Sequence, residues 1–324
     1  MLDSISVGGP PVISTKHGCD PYGRGLDDLR RSGMILVDKP QGPSSHQLAA
    51  WARDILKLNR LGHGGTLDPF ATGALTLLLG NATRLTEFVL SSDKTYIAVL
   101  RIDRSVDPRK LVSVLDSLKG EVYNVPPKES AVKIRVRTRL ISDIALIESE
   151  AESGSHAISV TCQAGTYIRT LARDIGLLLG CECKLEELHR DSTGVFGQRN
   201  LCTMHQLRDA SLLAEQGDDS AMKKLIAPVE AFLSGKQGVW VRDSAIASVC
   251  HGAPLAVPGV FKLNTGIKSG DKVVLWSAKG EAIGIGEMSI GGDEVSGKTS
   301  GEVLRPKVVL MDKGTYPGSW TGRT

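Results

Sequence analysis

The sequence predicts an α+β protein in which a larger domain with a mixed or antiparallel sheet precedes a small β-barrel. Apolar runs of strand length, such as 33–37 and 94–100, alternate with segments of helical spacing. Around 235–238 the composition shifts to a Gly-containing linker, and short strand-like runs separated by glycine turns follow it. A hydrophobic content of 41% with only 4% aromatic residues predicts a mainly aliphatic core.

The length of 324 residues suits two domains. Residues 1–32 are rich in Gly, Pro, Ser and charge, so we expect an N-terminal arm that is ordered only against another part of the protein. We place the larger domain at 33–235 and the small β-barrel domain at 236–320.

Charge and cysteine usage narrow the class of protein. A formal net charge of +3 excludes a diffusely basic nucleic-acid coat, so any RNA or DNA binding must come from local patches. Six cysteines without a C-x-x-C pair indicate reduced thiols of an intracellular protein, and Cys181 and Cys183 lack a second pair with zinc-ligand spacing. No apolar run approaches the roughly 20 residues of a membrane span. We expect a cytosolic protein, or a nuclear one in a nucleated cell.

The N-terminal half of the larger domain follows from local signals. The run 33–37 predicts a strand, and Ser44 or Ser45 caps a helix with apolar residues at helical spacing. The Leu-rich run 72–79 predicts a buried strand, 82–90 a short helix and 94–100 another strand. Asp107 followed by Pro108 predicts a helix start.

Later elements show similar signals. The run 160–164 predicts a strand, Gly165-Thr166 a turn with Thr166 as a candidate cap, and a helix then runs to about 179, where Gly180 ends it. Residues 204–234 have a helical composition. In the small domain we predict a helix from about 244 and strands at 272–276, 282–285 and 308–311.

A glycine-rich segment at 62–69, Gly-His-Gly-Gly-Thr-Leu-Asp-Pro, delivers a single carboxylate, Asp68. The following proline disfavours a helical conformation at Asp68, and glycines let the backbone approach a ligand closely. Taken alone, the segment fits a tight turn with a surface aspartate equally well.

Two sets of cations are candidates for binding. Lys133, Arg135, Arg137 and Arg139 occupy every second position, which on a strand would make one face wholly cationic. Four like charges in line repel unless an anion faces them, so we favour RNA-backbone contact over a solvated face. Arg169 falls in the first turn of its helix, where a cation is mildly unfavourable, and is therefore either a surface arginine or a functional residue.

Together these motifs resemble the pseudouridine synthases. The resemblance rests on Lys39-Pro40, the 63–69 segment, Lys94-Thr95-Tyr96 and Gly165-Thr166-Tyr167-Ile168-Arg169, in that order along the chain. It is strongest to dyskerin-type enzymes of archaeal box H/ACA ribonucleoproteins, in the TruB-like branch with a C-terminal PUA domain. Pro126-Pro127, Ser130 to Lys133, the segment from His251 to Val260 and the run from Tyr316 to Trp320 carry that finer likeness.

The resemblance implies which residues form the site. Asp68 is expected to be the catalytic carboxylate, Arg169 its partner and Tyr96 the residue that stacks on the base. His63 and Leu188 would line the substrate pocket with Lys39, which more plausibly braces the site than reacts. In the PUA-like domain, His251, Gly252, Leu255 and Gly259 are expected RNA contacts. The reaction that the resemblance implies, isomerisation of uridine to pseudouridine, needs no metal or redox cofactor.

The resemblance also implies partners: a box H/ACA guide RNA, an rRNA substrate with the tRNA TΨC loop as an additional candidate, and small accessory proteins of zinc-ribbon-like, small β-barrel and kink-turn-binding types. An archaeal-type protein of this kind would be cytoplasmic, and a eukaryotic one nucleolar. Two alternatives remain, a stand-alone tRNA pseudouridine-55 synthase and a non-catalytic RNA-binding scaffold. Ile134, Ser142 and His189 depart from the family pattern, and these departures concern individual RNA contacts more than the chemistry.

Overall fold

A computed structural model describes residues 2–126, 135–150, 152–197 and 201–318. The α-helices in these residues are α1 (Leu26–Arg31), α2 (Ser45–Ile55), α3 (Thr86–Leu90), α4 (Pro108–Ser117), α5 (Ile168–Leu179), α6 (Met204–Glu215), α7 (Ser220–Leu225), α8 (Val229–Leu233), α9 (Asp243–Cys250) and α10 (Gly292–Ser296).

The strands in the described residues are β1 (Ser4–Ser6), β2 (Gly33–Lys39), β3 (Leu61–His63), β4 (Thr72–Leu79), β5 (Lys94–Ile102), β6 (Gly120–Asn124), β7 (Arg137–Glu150), β8 (Ser155–Cys162), β9 (Cys183–Thr193), β10 (Leu201–Cys202), β11 (Ala227–Pro228), β12 (Gly238–Val241), β13 (Leu255–Ala256), β14 (Val260–Asn264), β15 (Lys272–Trp276), β16 (Ala282–Met288) and β17 (Glu302–Val309).

The chain divides into two compact units, and one of them comprises 35–77 and 86–218. Its sheet has the strand order β10-β2-β4-β9-β5-β8-β7-β6, with β3 paired to β4. The pairs β10–β2 and β4–β9 are parallel, whereas β5 pairs antiparallel with both β8 and β9. This mixed sheet with helices confirms the predicted fold class of the larger domain.

The core of this unit is aliphatic, as the composition predicts. Side chains of α4 and α5 pack with residues of β5, β7, β8 and β9 in one buried cluster that includes Leu111, Ile158, Leu171 and Ile175. Burial of this cluster fixes which face of the sheet the helices cover, because a one-residue slip in register would turn every side chain to the other face.

The other unit comprises 1–34, 78–85 and 219–324. Its sheet follows the order β1-β14-β12-β15-β16-β17-β13, and the only parallel pair among its described pairings is β12–β15. The small β domain therefore contains more strands than the three runs predicted for it.

The N-terminal arm is ordered against this sheet. Ser4–Ser6 pairs antiparallel with β14, and Val7 joins the buried cluster of the sheet. Further along, the Cys19 N–H donates to Glu281 Oε1 at 3.1 Å, and Arg24 forms a largely buried ion pair with Glu230 at 2.8 Å. The domain limits at 32 and 235 stay a prediction.

Several local predictions differ from the structure. The strands predicted at 160–164 and 308–311 are the ends of longer strands, β8 and β17, which stop at Cys162 and Val309. The segment predicted as one helix at 82–90 is a 3₁₀ helix, Gly80–Leu85, followed by α3. Thr166 does not cap α5: its hydroxyl donates to Gln163 O at 2.7 Å, and Tyr167 is the N-cap residue. The cationic strand begins only at Arg137, so Arg135 precedes it, and Lys133 lies outside the described residues.

Within the described ranges, no helix is long and apolar enough to cross a membrane.

Candidate active site

The loop that carries Asp68 joins β3 to β4, and its backbone is held on both sides of that residue. Leu67 exchanges two hydrogen bonds with Ser45: its N–H donates to Ser45 Oγ at 2.8 Å, and that hydroxyl donates to Leu67 O at 3.2 Å. The Ala71 N–H donates to Asp68 O at 3.0 Å, and the Gly42 N–H donates to Pro69 O at 2.8 Å. The Asp68 side chain itself stays 35% exposed, so a rigid loop presents an accessible carboxylate.

Lys39, at the end of β2, is fully buried below this loop. Its Nζ donates to Pro40 O at 3.0 Å, Pro69 O at 3.2 Å and Ala71 O at 2.7 Å. Burial lowers the pKa of Lys39, and the charge of Arg190 acts in the same direction, while the charge of Asp68 raises it. The three carbonyl bonds make Lys39 a brace for the residues that follow Asp68.

Arg169 lies in the first turn of α5 and reaches the carboxylate. Its Nη2 is 3.1 Å from Asp68 Oδ1, and the two side chains are 31% and 35% exposed. An ion pair this exposed contributes at most about 1 kcal/mol to stability, so its effect is mainly to orient the carboxylate. The start of α5 is anchored independently, because the Tyr167 N–H donates to Asn124 Oδ1 and the Thr170 hydroxyl donates to Val125 O.

Tyr96, on β5, is half-buried and packs against a cluster that contains Leu67 and Leu188. Burial raises the pKa of the Tyr96 phenol; the charge of Arg190 and a hydrogen bond from it lower that pKa, and the charge of Asp68 raises it. Arg190 is the register partner of Tyr96 on the neighbouring strand β9. Leu188, on β9, is 8% exposed, and its register partner is Ala98, which lies on β5 like Tyr96.

His63 ends β3 beside a second histidine. The rings of His46 and His63 meet edge to face with centroids 4.6 Å apart. Burial lowers the pKa of His63, as do the charges of His46 and Arg190, so the ring is neutral at physiological pH. Its buried Nδ1 has no hydrogen-bond partner among the described residues. Both histidines line an open cavity of about 450 Å³ together with Arg53, Thr66 and Thr86.

The predicted RNA contacts fall into two groups. Arg135 and Arg137 are exposed, while the half-buried Arg139 guanidinium lies against Gly165, where an added Cβ would be 3.3 Å from Nε. In the small domain, His251 follows α9 and its Nδ1 is 2.8 Å from Ala247 O.

The other three predicted RNA contacts of the small domain, Gly252, Leu255 and Gly259, differ in their surroundings. Gly252 has φ +89° with open space around it. Leu255 is 1% exposed, and a Cβ at Gly259 would be 2.7 Å from the Leu255 side chain. Leu255 as a whole therefore presents almost no surface through which it could contact RNA.

Sequence reasoning missed two residues of the site. The sequence predicts Ser45 only as an alternative cap, yet Ser44 caps α2 and Ser45 holds Leu67. Arg190 is 1% exposed, and its guanidinium donates to Ala74 O and Gly65 O. No local signal marks Arg190, because a polar run on a strand normally indicates a solvated face.

No group of three or more His, Cys, Asp or Glu side chains in the described part of the chain is arranged to hold a metal ion. Cys183 is buried, and burial raises the pKa of its thiol to about 12, which disfavours the thiolate that zinc requires.

Four family models match the chain. They are the N-terminal domain of the TruB family pseudouridylate synthases at 53–110, the C-terminal domain of tRNA pseudouridylate synthase B at 169–234, the PUA domain at 237–310 and the DKCLD domain at 12–49.

Curated relatives match over nearly the whole length. A probable tRNA pseudouridine synthase B of Methanosarcina acetivorans is 39% identical over 306 residues, which cover 94% of this chain and 90% of the relative. That of Methanothermobacter thermautotrophicus is 37% identical and covers 94% of both chains.

Solved structures also match over nearly the whole length of the chain. A chain of an H/ACA ribonucleoprotein bound to a substrate RNA containing 2′-deoxyuridine matches with a TM-score of 0.91 and 34% identity, covering 99% of this chain and 98% of that one. A chain of the archaeal box H/ACA Nop10–Cbf5 complex matches with a TM-score of 0.90 and 34% identity, covering 99% of both chains.

A mixed-sheet unit with a braced, arginine-paired aspartate, in a chain that also carries a PUA domain, defines an RNA-modifying enzyme. The chain belongs to the TruB family of pseudouridine synthases, with the dyskerin-type arrangement of a DKCLD segment before the catalytic domains and a PUA domain after them.

Proposed function

We propose that this enzyme converts uridine to pseudouridine at Asp68, as the catalytic subunit of a guide-RNA-directed H/ACA particle. The observation that carries the proposal is the contact of 3.1 Å between Asp68 and Arg169 on a loop whose backbone is fixed from both sides. A carboxylate held in one orientation can meet the sugar of an extruded nucleotide without a loop rearrangement.

The isomerisation breaks the C1′–N1 bond and forms a C1′–C5 bond. The electron pair of the broken bond leaves with N1, and C5 later loses its proton, so no oxidant or reductant takes part. Asp68 acts either by bonding to C1′ or as a base that generates a glycal. We assign Tyr96 to stacking on the base, and its packing against the cluster that contains Leu67, the residue before Asp68, supports this.

The remaining pocket residues have supporting roles in this proposal. His63 would help hold the nucleotide extruded from its stack, since it is a neutral ring that faces a cavity next to the Asp68 loop. Leu188 would form the apolar floor below the base, and Lys39 keeps the loop in register. Arg135, Arg137 and Arg139 would contact the RNA backbone.

Guided action is supported by the likeness to chains from H/ACA complexes that contain substrate RNA, Nop10 or Gar1. We accordingly propose an H/ACA guide RNA, an rRNA substrate and small accessory proteins as partners, and action in the cytoplasm of an archaeal-type cell. The names of the curated relatives favour tRNA as a further substrate.

The test is pseudouridine formation by purified protein on two substrates: a plain tRNA transcript, and an rRNA fragment with an H/ACA guide and accessory proteins. We expect conversion of the rRNA only when the guide is present. Conversion of tRNA alone would instead establish the stand-alone enzyme, and no conversion of either substrate would leave an RNA-binding scaffold.

A further inference from the structure

Arg190 is a buried cation with no carboxylate partner among the described residues. Its side chain on β9 is 1% exposed, and no carboxylate in the described part of the chain lies within ion-pairing distance of it. Its Nε donates to Ala74 O at 2.7 Å, and Nη2 donates to Gly65 O at 3.1 Å. A buried charge without a counter-ion carries a large desolvation penalty, so an uncharged side chain of similar shape would serve stability better. The charge therefore needs a reason other than stability.

The sheet places Arg190 directly beside Tyr96. Arg190 is the register partner of Gly73 on β4 and of Tyr96 on β5. Opposite residues on neighbouring strands point to the same face with Cβ atoms about 5 Å apart. Gly73 has φ +98°, and a Cβ there would lie 2.3 Å from Arg190 O, so the glycine lets β4 approach. The strands β4, β9 and β5 are thus in register at Arg190.

The two carbonyl bonds hold the guanidinium in one orientation. They come from β4 and from the loop three residues before Asp68, so the group is fixed from two directions. Arginine has five N–H donors in a planar fork, and the remaining ones are free to face the Tyr96 phenol. A lysine cannot copy this arrangement, because its single ammonium cannot reach separated acceptors with fixed geometry.

We propose that Arg190 is a positioning residue for the isomerisation: anchored by Ala74 O and Gly65 O, it holds the Tyr96 phenol against the base. This rests on the proposed roles of Asp68 and Tyr96. When the C1′–N1 bond breaks, its electron pair stays on the uracil, and a fixed positive charge behind the phenol stabilises the negative charge that develops. The burial of the guanidinium keeps it from being screened by water.

The test is a double-mutant cycle on the substrate that the two-substrate assay identifies. R190M and R190K are each made alone and together with Y96F, and single-turnover rate, RNA affinity and thermal stability are measured. We expect R190M to slow the rate on the order of 100-fold with unchanged RNA affinity. R190K should recover only part of this loss, and in the Y96F background R190M should slow the rate less than about threefold.

Equal losses with and without Tyr96 would overturn the inference. If R190M does not fold, R190K carries the cycle. If Y96F has no measurable rate, ultraviolet titration of the phenol decides: Tyr96 should ionise at higher pH in R190K than in the native protein, and an unchanged midpoint would overturn the proposal. Asp68 and Cys162, whose charges also act on that phenol, are the same in every variant.

An exposed arginine serves as the control. R104M removes a cation whose side chain is 59% exposed, and it should change neither rate nor the cycle. The two proposals fail separately, because a D68N variant that retains turnover ends the proposed function. An inactive D68N with additive losses at Arg190 and Tyr96 ends only this inference.

Discussion

Asp68 combines a rigid backbone with an accessible side chain. Hydrogen bonds from Ser45, Gly42 and Lys39 fix the residues on both sides of it, while its carboxylate is about a third exposed. The energy that orders this loop comes from buried backbone contacts rather than from the Asp68–Arg169 ion pair. Chemistry and stability are therefore separable at this residue.

Because the carboxylate of Asp68 does not hold its loop together, the D68N variant should lose turnover but keep its stability. The amide keeps the shape of the carboxylate but neither bonds to C1′ nor accepts a proton, so turnover should fall on the order of 1,000-fold or more. RNA affinity should be unchanged, and the free energy of unfolding should change by less than about 1 kcal/mol because the ion pair that disappears is exposed. Conversion assays, RNA binding and urea unfolding measure these three quantities.

The matched control is D54N, which removes a carboxylate paired with Arg53 at 3.2 Å on the surface of α2. It should leave turnover intact. Turnover by D68N at the native rate would remove Asp68 from the mechanism.

At the level of elements, the junction of β4 and β9 determines the geometry of the site. The two strands pair in parallel at Thr72–His189 and Gly73–Arg190. Thr72 Oγ1 and His189 Nδ1 are 2.9 Å apart, so this histidine, which departs from the family pattern, bonds to the strand that follows the Asp68 loop. In this junction, β9 contributes Leu188 and Arg190, and β4 follows directly from the loop that carries Asp68.

Gly73 tests this junction. In G73A the new Cβ would meet Arg190 O at 2.3 Å and Arg190 N at 2.9 Å, both backbone atoms that cannot move aside without breaking the pairing. We expect the free energy of unfolding to fall by more than about 3 kcal/mol, since strain at positive φ adds to the clash.

G120A separates the two causes, because Gly120 has φ +109° with open space around it. It should lose only about 1 kcal/mol. Equal losses in the two variants, measured by chemical unfolding, would show that the close approach of β4 and β9 is unimportant.

Lys94 at the start of β5 links this strand to α3. Its Nζ donates to Val89 O, Leu90 O and Ser92 O, and burial lowers its pKa to about 8, a shift that the charge of Arg190 reinforces. An unfolded lysine titrates near pH 10.4. Between about pH 8 and about pH 10, the unfolded chain therefore binds more protons at this residue than the folded one, and the folded state gains stability as pH rises.

K94M should lack this dependence. The difference in free energy of unfolding between native protein and K94M should rise with pH across that window, by at most about 1.4 kcal/mol per pH unit. Urea unfolding of both proteins at several pH values measures it, and K110M, an exposed lysine change on α4, should give a flat difference. A difference that falls with pH would mean that the three carbonyls stabilise the ammonium more than water does.

At the scale of the whole molecule, a net charge of only +3 makes RNA affinity depend on where the cations lie. Arg135 and Arg137 are exposed and belong to the predicted RNA-binding patch, whereas Arg139 packs against Gly165. The exposed pair is therefore expected to contribute more to phosphate binding than Arg139.

R135E/R137E should weaken RNA binding and flatten its salt dependence, with the slope falling by about 0.7–0.9 for each phosphate that the variant no longer neutralises. Titrations at several salt concentrations measure this. R104E/R109E makes the same change in net charge at exposed arginines elsewhere and should have a much smaller effect. Equal effects of the two double variants would show that only overall charge matters.

The sequence by itself determined most element types of the larger domain, the aliphatic core and the family, because helical spacing, caps and the Gly-His-Gly-Gly-Thr-Leu-Asp-Pro motif are local patterns. Asp68, Tyr96 and Arg169 could be named in advance, since each occurs in a recognisable motif. Their roles in catalysis remain proposals.

Only the tertiary structure decided where charge is buried. Arg190, Lys39 and Lys94 are each enclosed and bonded to backbone carbonyls, and for Arg190 and Lys39 these include carbonyls of residues distant in sequence. The start of β7 at Arg137 and the enclosure of Leu255 likewise depend on neighbouring segments. The physical reason is that the environment of a charged side chain is set by strand register and by carbonyls of other segments, which no local pattern encodes.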